Sequence, residues 1–368
     1  MTEAHHHTLG AELREIIAIE GPISLERFME LALTHPTLGY YTTRDPFGVD
    51  GDFITSPEIS QMFGELLGLW AAQVWRQIGA PEIVHLVELG PGRGTLMADA
   101  LRAAKAAPEF FDAIHVELVE ASDIQVEQQR AALAGCGRPV NWRRTVEDVP
   151  PGPAIFLANE FFDALPVRHY VNSPEGWRER LVGLDAEGAL TFGLSAEVEP
   201  YIKVKTEDGS VLEIGAAAQR LVTRIAARIV TENGALLAVD YGYDLTTLGE
   251  TLQAVKAHDY VDVLAEPGEA DITAHVDFSA LSRAARAANA KVFGPVGQGD
   301  FLIQIGIAQR AEALKAQAEP EVAEQIDLAL ARLAGAGENE MGELFRVLAV
   351  TRRGVEDIPG FAGDDATS

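Results

Sequence analysis

Cysteine is almost absent from this chain: Cys136, in the turn Gly135-Cys136-Gly137, is the single one. One thiol permits no internal disulfide and no cysteine-based zinc site, and fits a reducing compartment. Basic residues are scarce as well, 29 lysines and arginines against 56 acids in 368 residues, a formal charge of −27. A field of that sign repels phosphate backbones and anionic membranes, so nucleic acid is not an expected partner and cationic ones are favoured. Simple solubility also accounts for a bulk excess of acid. No apolar run approaches the ~18–20 residues of a membrane span, so no membrane insertion is expected. The opening MTEAHHHTLG lacks a basic-then-apolar leader, and a cytoplasmic location is expected. His5, His6 and His7 are left out of the site argument, and no metal site is expected.

The remainder is an ordinary globular composition, 47% hydrophobic and 23% charged. Residues 1–80 read as an N-terminal helical cap with a lid loop. Leu13, Ile16, Ile17 and then Leu25, Phe28, Met29 recur at helical spacing, with Ser24 as a cap for the second helix. A turn-rich loop runs through Phe47-Gly48 to Asp52-Phe53. Ser56-Pro57 then opens a helix, with Ser56 as N-cap, Pro57 as first helical residue and an apolar stripe from Ile59 to Val74.

Residues 81–353 read as the core. Strands are expected at Ile83–Leu89, Ile114–Glu120, Val140–Trp142, Ala154–Ala158 and Ala235–Asp240, alternating with helices at Thr95–Ala106, Gln125–Ala134 and Ala216–Val230. Such β-then-α units make an α/β fold, a mostly parallel sheet with helices on both faces. The gap between the fourth and fifth of these strands is too long for a simple crossover. Residues 168–215 therefore form an insertion, with a β-hairpin of Trp177–Leu184 and Ala189–Leu194 that is expected to shape the substrate site. Phe301–Ile307 and Phe345–Val350 read as two further strands around a helical stretch, 309–335. Residues 354–368 read as a flexible tail. The oligomeric state is open, a dimer included.

The strongest chemical signal is Val87-Glu88-Leu89-Gly90-Pro91-Gly92-Arg93-Gly94-Thr95, which closes a strand and opens a helix. Glycines there let the backbone turn sharply and admit a ligand where Cβ atoms would block it. The spacing G-x-G-x-G differs from the dinucleotide pattern G-x-G-x-x-G, which disfavours a nicotinamide dehydrogenase. Glu88 precedes the turn by two residues. Glu120, at the end of the next strand, is placed to accept from both hydroxyls of a ribose. Asp148, after the third strand, is a candidate for an adenine amino group, with a helix-start acid as the alternative. Asn159 and Glu160 follow the fourth strand and face the ligand crevice of an open α/β sheet.

Seven stretches together resemble the MidA-like family of class I S-adenosylmethionine-dependent methyltransferases. They are Leu38–Tyr41, Gly51–Ser60, Val87–Thr95, Ala158–Val167, Pro267–Phe278, Gly299–Leu302 and Met341–Phe345, spanning nearly the whole chain. The resemblance implies a Rossmann-like class I methyltransferase core with a seven-stranded sheet, and S-adenosylmethionine as cofactor. Gly90, Pro91, Gly92, Gly94, Glu88, Glu120, Asp148 and Asn159 are then its candidate ligands. By analogy with a mitochondrial member, it also implies a protein substrate: symmetric dimethylation of an arginine in a respiratory complex I subunit. An arginine acceptor is cationic, so carboxylates must orient it and receive its proton. Glu160 is the first candidate, Asp163 and Glu58 support it, and His275 is a candidate relay. Tyr40, Tyr41, Phe53 and Ser56 are candidates to wall the substrate or cofactor, ordinary packing being the alternative for the tyrosines. A different reading also stands: an assembly factor that keeps the cofactor fold and acts chiefly by holding a partner. Calorimetry with S-adenosylmethionine and with NAD separates the methyltransferase and the cofactor-bound assembly factor from the nicotinamide dehydrogenase.

Overall fold

The structure, a computed structural model, describes residues 8–44, 55–337 and 340–362. The main sheet contains β1 (Val84–Leu89), β2 (Ile114–Val119), β3 (Val140–Arg143), β4 (Ala154–Asn159), β5 (Gly234–Tyr243), β6 (Lys291–Gly297) and β7 (Phe345–Thr351). Their order is β6-β7-β5-β4-β1-β2-β3, and a two-residue strand, Val276–Asp277, pairs with the end of β5. The β1/β2, β1/β4, β2/β3 and β4/β5 pairs are parallel, whereas β7 is antiparallel to both its neighbours. The strand order reverses between β1 and β4. The carboxyl ends of these two strands therefore open onto one crevice, the position where such sheets bind ligands. β1 is buried at all six positions, as a strand covered on both faces must be.

Apolar clusters cover each face of the sheet. On one face, the helices Gln61–Gln77 and Thr95–Ala104 cross at two glycines. A Cβ on Gly68 would lie 2.4 Å from the Ala100 carbonyl oxygen, and one on Gly64 would lie 2.7 Å from the Asp99 Cβ. A third cluster sits under the cap, where Leu13, Phe28, Met29 and Tyr40 are fully buried.

Four expectations are corrected. Ser56–Ile59 is a separate short helix whose N-cap is Thr55. The chain breaks at Ser60, which caps the long helix Gln61–Gln77 by accepting from the Met62 amide. Phe301–Ile307 is no strand: Gln298–Gln304 and Ile307–Lys315 are helices, and the missing strand is Lys291–Gly297. The hairpin exists, with Gly176–Leu184 paired antiparallel to Leu190–Leu194. It belongs, however, to a five-stranded sheet with Ile23–Ser24, Arg168–Ser173 and Val211–Ile214, and no residue of the hairpin lines the main cleft. The segment read as a tail is packed through residue 361, with Val355, Ile358 and Phe361 buried and Trp70 Nε1 donating to the Pro359 carbonyl at 3.0 Å. Among the described residues, no helix is long and apolar enough to cross a membrane.

Candidate active site

The glycine turn follows directly from β1. Gly90, Gly92 and Gly94 have φ of 60°, 51° and 83°, a left-handed backbone that other residues enter at a cost. A Cβ on Gly90 would meet Phe161 at 2.8 Å. Behind the turn lies Gln129, fully buried, from the helix Asp123–Ala132. Its amide donates to the Gly92 carbonyl at 2.7 Å and to Glu120 Oε2 at 3.0 Å, and accepts from Trp142 Nε1 at 2.8 Å. The Ser122 amide donates to Glu120 Oε1 at 2.7 Å. Burial raises the Glu120 carboxyl above its ordinary pKa, and these two donors act in the opposite direction.

Glu88 is buried at the end of β1, and among the described residues its Oε2 has no hydrogen-bond partner; Asn159 Oδ1 is buried without one among them as well. Both side chains line a small cavity with Gly90, Gly92, Glu58 and Glu160. Two unsatisfied acceptors beside a glycine turn are costly unless a donor completes them. A ligand ammonium group meets that need. Burial, reinforced by the charge of Glu120, pushes Glu88 well above the usual carboxylate range. In the same cavity Thr95 Oγ1 donates to Glu58 Oε1 at 2.5 Å, tying the Ser56–Ile59 turn to the glycine loop.

A larger cleft of about 470 Å³ runs from Glu120 past Gly90 and Gly92 to Glu160, Asp163 and Tyr241. Glu160 has φ +49°, a conformation unfavourable for a residue with a Cβ, and such strain clusters at functional sites. Its Oε1 accepts from the Ser56 amide at 2.8 Å and from Asn159 Nδ2 at 3.0 Å. Burial lifts its pKa to about 7, against the lowering effect of those bonds, and the nearby Asp163 adds to the rise. Burial also lifts Asp163 to about 6. Asp163 Oδ1 is buried without a partner among the described residues. Across the cleft the Tyr41 hydroxyl donates to Asp271 Oδ1 at 2.7 Å.

Beneath the Glu160 turn lies Asp240, fully buried within β5 where the strand's apolar run ends. Its Oδ2 accepts from the amides of Phe161, Phe162 and Asp163 at 3.1, 2.9 and 3.3 Å, and its Oδ1 accepts from the Tyr241 amide at 3.0 Å. Burial and the charges of Asp163 and Glu160 push Asp240 up, whereas the amide donors favour its ionised form.

The structure thus brings Glu88, Gly90, Pro91, Gly92, Asn159, Glu160 and Glu58 around one cavity, with Asp163, Glu120 and Tyr41 on the adjoining cleft. Gly94 caps the helix Thr95–Ala104 from behind. Ser56 is fully buried and serves through its amide, under Glu160. Other candidates fall elsewhere. Asp148 is turned back onto Thr145, whose amide it accepts from at 3.0 Å, in the capping box of a short 3₁₀ turn. Its neighbours Thr145, Val146 and Glu147 line the cleft instead. Tyr40 is buried in the cap core with its ring edge-on to Tyr41. His275 packs edge-on against Tyr241 and lines a separate small cavity with Glu213 and Tyr243, so it offers no direct relay to the cleft. Phe53 and the loop from Phe47 to Asp52 lie outside the described residues. Sequence reasoning missed Gln129, Asp240, Tyr241 and Asp271. For Asp240 a signal existed: it follows the apolar run Ala235–Val239 just as Glu160 follows one.

A family model described as S-adenosyl-L-methionine-dependent methyltransferase matches residues 66–296. The mitochondrial protein arginine methyltransferase NDUFAF7 of Danio rerio is 39% identical over 360 residues, which cover 91% of this chain and 84% of the relative. Its Homo sapiens counterpart is 38% identical over 358 residues, 90% of this chain and 80% of the relative. A Burkholderia thailandensis protein, solved with S-adenosyl-homocysteine bound, superposes with a TM-score of 0.82 at 30% identity, over 96% of this chain and 94% of that one. The curated relatives named here are mitochondrial, which conflicts with the cytoplasmic location expected from the sequence and overturns that expectation.

Proposed function

Because the chain belongs to the S-adenosyl-L-methionine-dependent methyltransferase family, we propose that it methylates an arginine side chain of a protein, and that the acceptor is a respiratory complex I subunit. The observation that carries the arginine assignment is the acid-lined end of the cleft, where Glu160, Asp163 and Asp271 converge beside two tyrosines. A cationic acceptor is neutralised by these carboxylates, and the planar fork of a guanidinium matches a carboxylate bidentately, as an ammonium does not.

When bound, S-adenosylmethionine supplies an electrophilic methyl group on a sulfonium. Glu88 and Asn159 offer their free oxygens to the cofactor's ammonium, Glu120 its remaining lone pairs to the ribose hydroxyls, and the glycine turn its open backbone. Glu160 and Asp163 fork the guanidinium and turn one nitrogen toward the methyl carbon, and this positioning is the main contribution to rate. With that methyl group supplied, the oriented nitrogen would be its acceptor and would give up its proton to a carboxylate. Glu160, with a pKa of about 7, is matched to receive it and return it to water.

The test is labelling by the purified protein, with isotopically marked S-adenosylmethionine, of proteins from cells that lack its gene, followed by mass spectrometry. Methylarginine on a complex I subunit, missing in those cells and restored by the protein, is expected. Label confined to lysine or to small molecules would overturn the arginine assignment. Cofactor binding with no transfer to any protein would leave the partner-holding reading instead.

A further inference from the structure

We propose that Asp240 is a positioning residue of the methyl-transfer site: it clamps the backbone of the turn 160–163, holds Glu160 in its left-handed conformation, and so aims the Glu160 carboxylate into the cleft.

Three observations carry this. Glu160 has φ +49° without being glycine, so something must hold it there. The three consecutive amides that follow it, Phe161 to Asp163, all donate to one oxygen of Asp240. Such a row of N–H groups curled around an anion is a nest, and the anion fixes the curl. The strand register supplies the alignment: Val239 lies beside Asn159 in the parallel β4/β5 pair, and the Glu160 amide donates to the Val239 carbonyl at 2.9 Å. Residue 240 therefore falls directly under the turn. Asp240 is fully buried and does not line the cleft, so it acts on the reaction through Glu160. Its second oxygen takes the Tyr241 amide, which leaves the side chain one orientation, with both oxygens committed.

The geometry predicts a particular failure. Asp240→Asn keeps the shape but replaces one acceptor with a donor, which faces either the nest or the Tyr241 amide. The turn then loosens and Glu160 relaxes toward an ordinary backbone conformation, out of aim. The glycine turn, Glu88 and Glu120 are untouched.

The experiment compares Asp240→Asn with Leu237→Ala, a buried change on the same strand away from the turn, and runs a double-mutant cycle with Glu160→Gly. Turnover is read with the acceptor protein found by the labelling above, and cofactor binding with S-adenosyl-homocysteine. For Asp240→Asn, kcat falls at least tenfold while KM for S-adenosylmethionine and affinity for S-adenosyl-homocysteine stay within twofold. Leu237→Ala melts lower but keeps its activity per folded molecule. In the cycle, the melting-temperature loss from Asp240→Asn is at most half as large in the Glu160→Gly background, because glycine accepts the left-handed backbone unaided. If Asp240→Asn does not fold alone, adding Glu160→Gly restores folding. Near-normal turnover in Asp240→Asn, an equal kcat loss in Leu237→Ala, equal melting losses in both backgrounds, or no recovery on adding Glu160→Gly would each overturn the assignment. The activity arm rests on the methyl-transfer reading. The melting arm does not, so failure of one is distinguishable from failure of the other.

Discussion

Replacing Glu160 with glutamine should make the protein more stable and less active, and the size of the first effect follows from burial. The carboxyl has a pKa of about 7 in the fold, against 4.5 ordinarily, chiefly because ionisation is penalised inside the cleft. At roughly 1.4 kcal/mol per pH unit, that gap corresponds to about 3 kcal/mol. The sign follows from linkage. Below about pH 4.5 both the folded and unfolded forms carry a neutral carboxyl, and nothing is lost. As pH rises from there to about 7 the unfolded chain releases a proton that the fold retains, so stability declines, and it levels off above 7. Glutamine cannot ionise, and its carbonyl keeps the bonds from the Ser56 amide and Asn159. The Glu160→Gln protein should therefore melt about 4 °C higher than the parent at pH 8, given the unfolding entropy of a chain this long, and no higher at pH 4.5. Turnover should fall at least a hundredfold. In the parent, kcat/KM should climb between pH 6 and 7 as the Glu160–Asp163 pair ionises, with about one Glu160 in ten charged at pH 6; in the variant the upper part of that rise disappears. Calorimetric scans across pH, paired with initial rates, give both readings. A variant that melts below the parent at pH 8, or a parent whose kcat/KM is flat from pH 5.5 to 8, would refute the reasoning.

Three further outcomes are expected. Gly90→Ala puts a methyl group 2.8 Å from Phe161 on a left-handed backbone, a cost of roughly 1–2 kcal/mol before the clash. Affinity for S-adenosyl-homocysteine should drop about tenfold or more by calorimetry, and an unchanged value would show that the turn is not where the ligand rests. Gln129→Leu keeps the volume but strands Trp142 Nε1 and frees Glu120. Cofactor affinity should fall about tenfold with a blue-shifted or quenched Trp142 emission, and unaltered binding would remove Gln129 from the cofactor's support. Tyr41→Phe deletes the bond to Asp271, worth about 1 kcal/mol net. KM for the acceptor should rise about fivefold with cofactor affinity constant, and the reverse pattern would place Tyr41 on the cofactor side.

What could be read from the chain was local. Three glycines in a strand-to-helix turn announce themselves, because no other residue takes those angles cheaply and because Glu88 and Glu120 end apolar runs of the expected length. The Asn159-Glu160 pair was legible for the same reason. Asp240 follows an apolar run too, but its role could not be read from that, since it depends on β5 lying parallel to β4 in one register, across an interval of eighty residues with a sheet of its own. Asp148 misled because an acid at a helix start serves capping as readily as ligand binding, and here its carboxylate closes on Thr145. The strand misread at Phe301–Ile307 is an apolar run too short for its period to discriminate. Phe301 and Leu302 are adjacent and both buried, as on a helix, while Ile303 is 55% exposed. The true strand, Lys291–Gly297, hid behind Gly294-Pro295. A proline is tolerated there because β6 is the sheet's edge and the register slips between Phe293 and Val296.

The crossing at Gly64 and Gly68 has a reach beyond its own contact. The helix that bears these two glycines follows one residue after the turn whose Ser56 amide supports Glu160 and whose Glu58 grips Thr95, and the helix it touches begins at Thr95 itself. The seam thus works as a hinge pin seated with no clearance: whatever levers one helix off the other pulls the nucleoside cradle and the acid hook out of alignment together. A bulkier side chain at Gly68 would be an inhibitor written into the chain itself, acting on both reactants while touching neither.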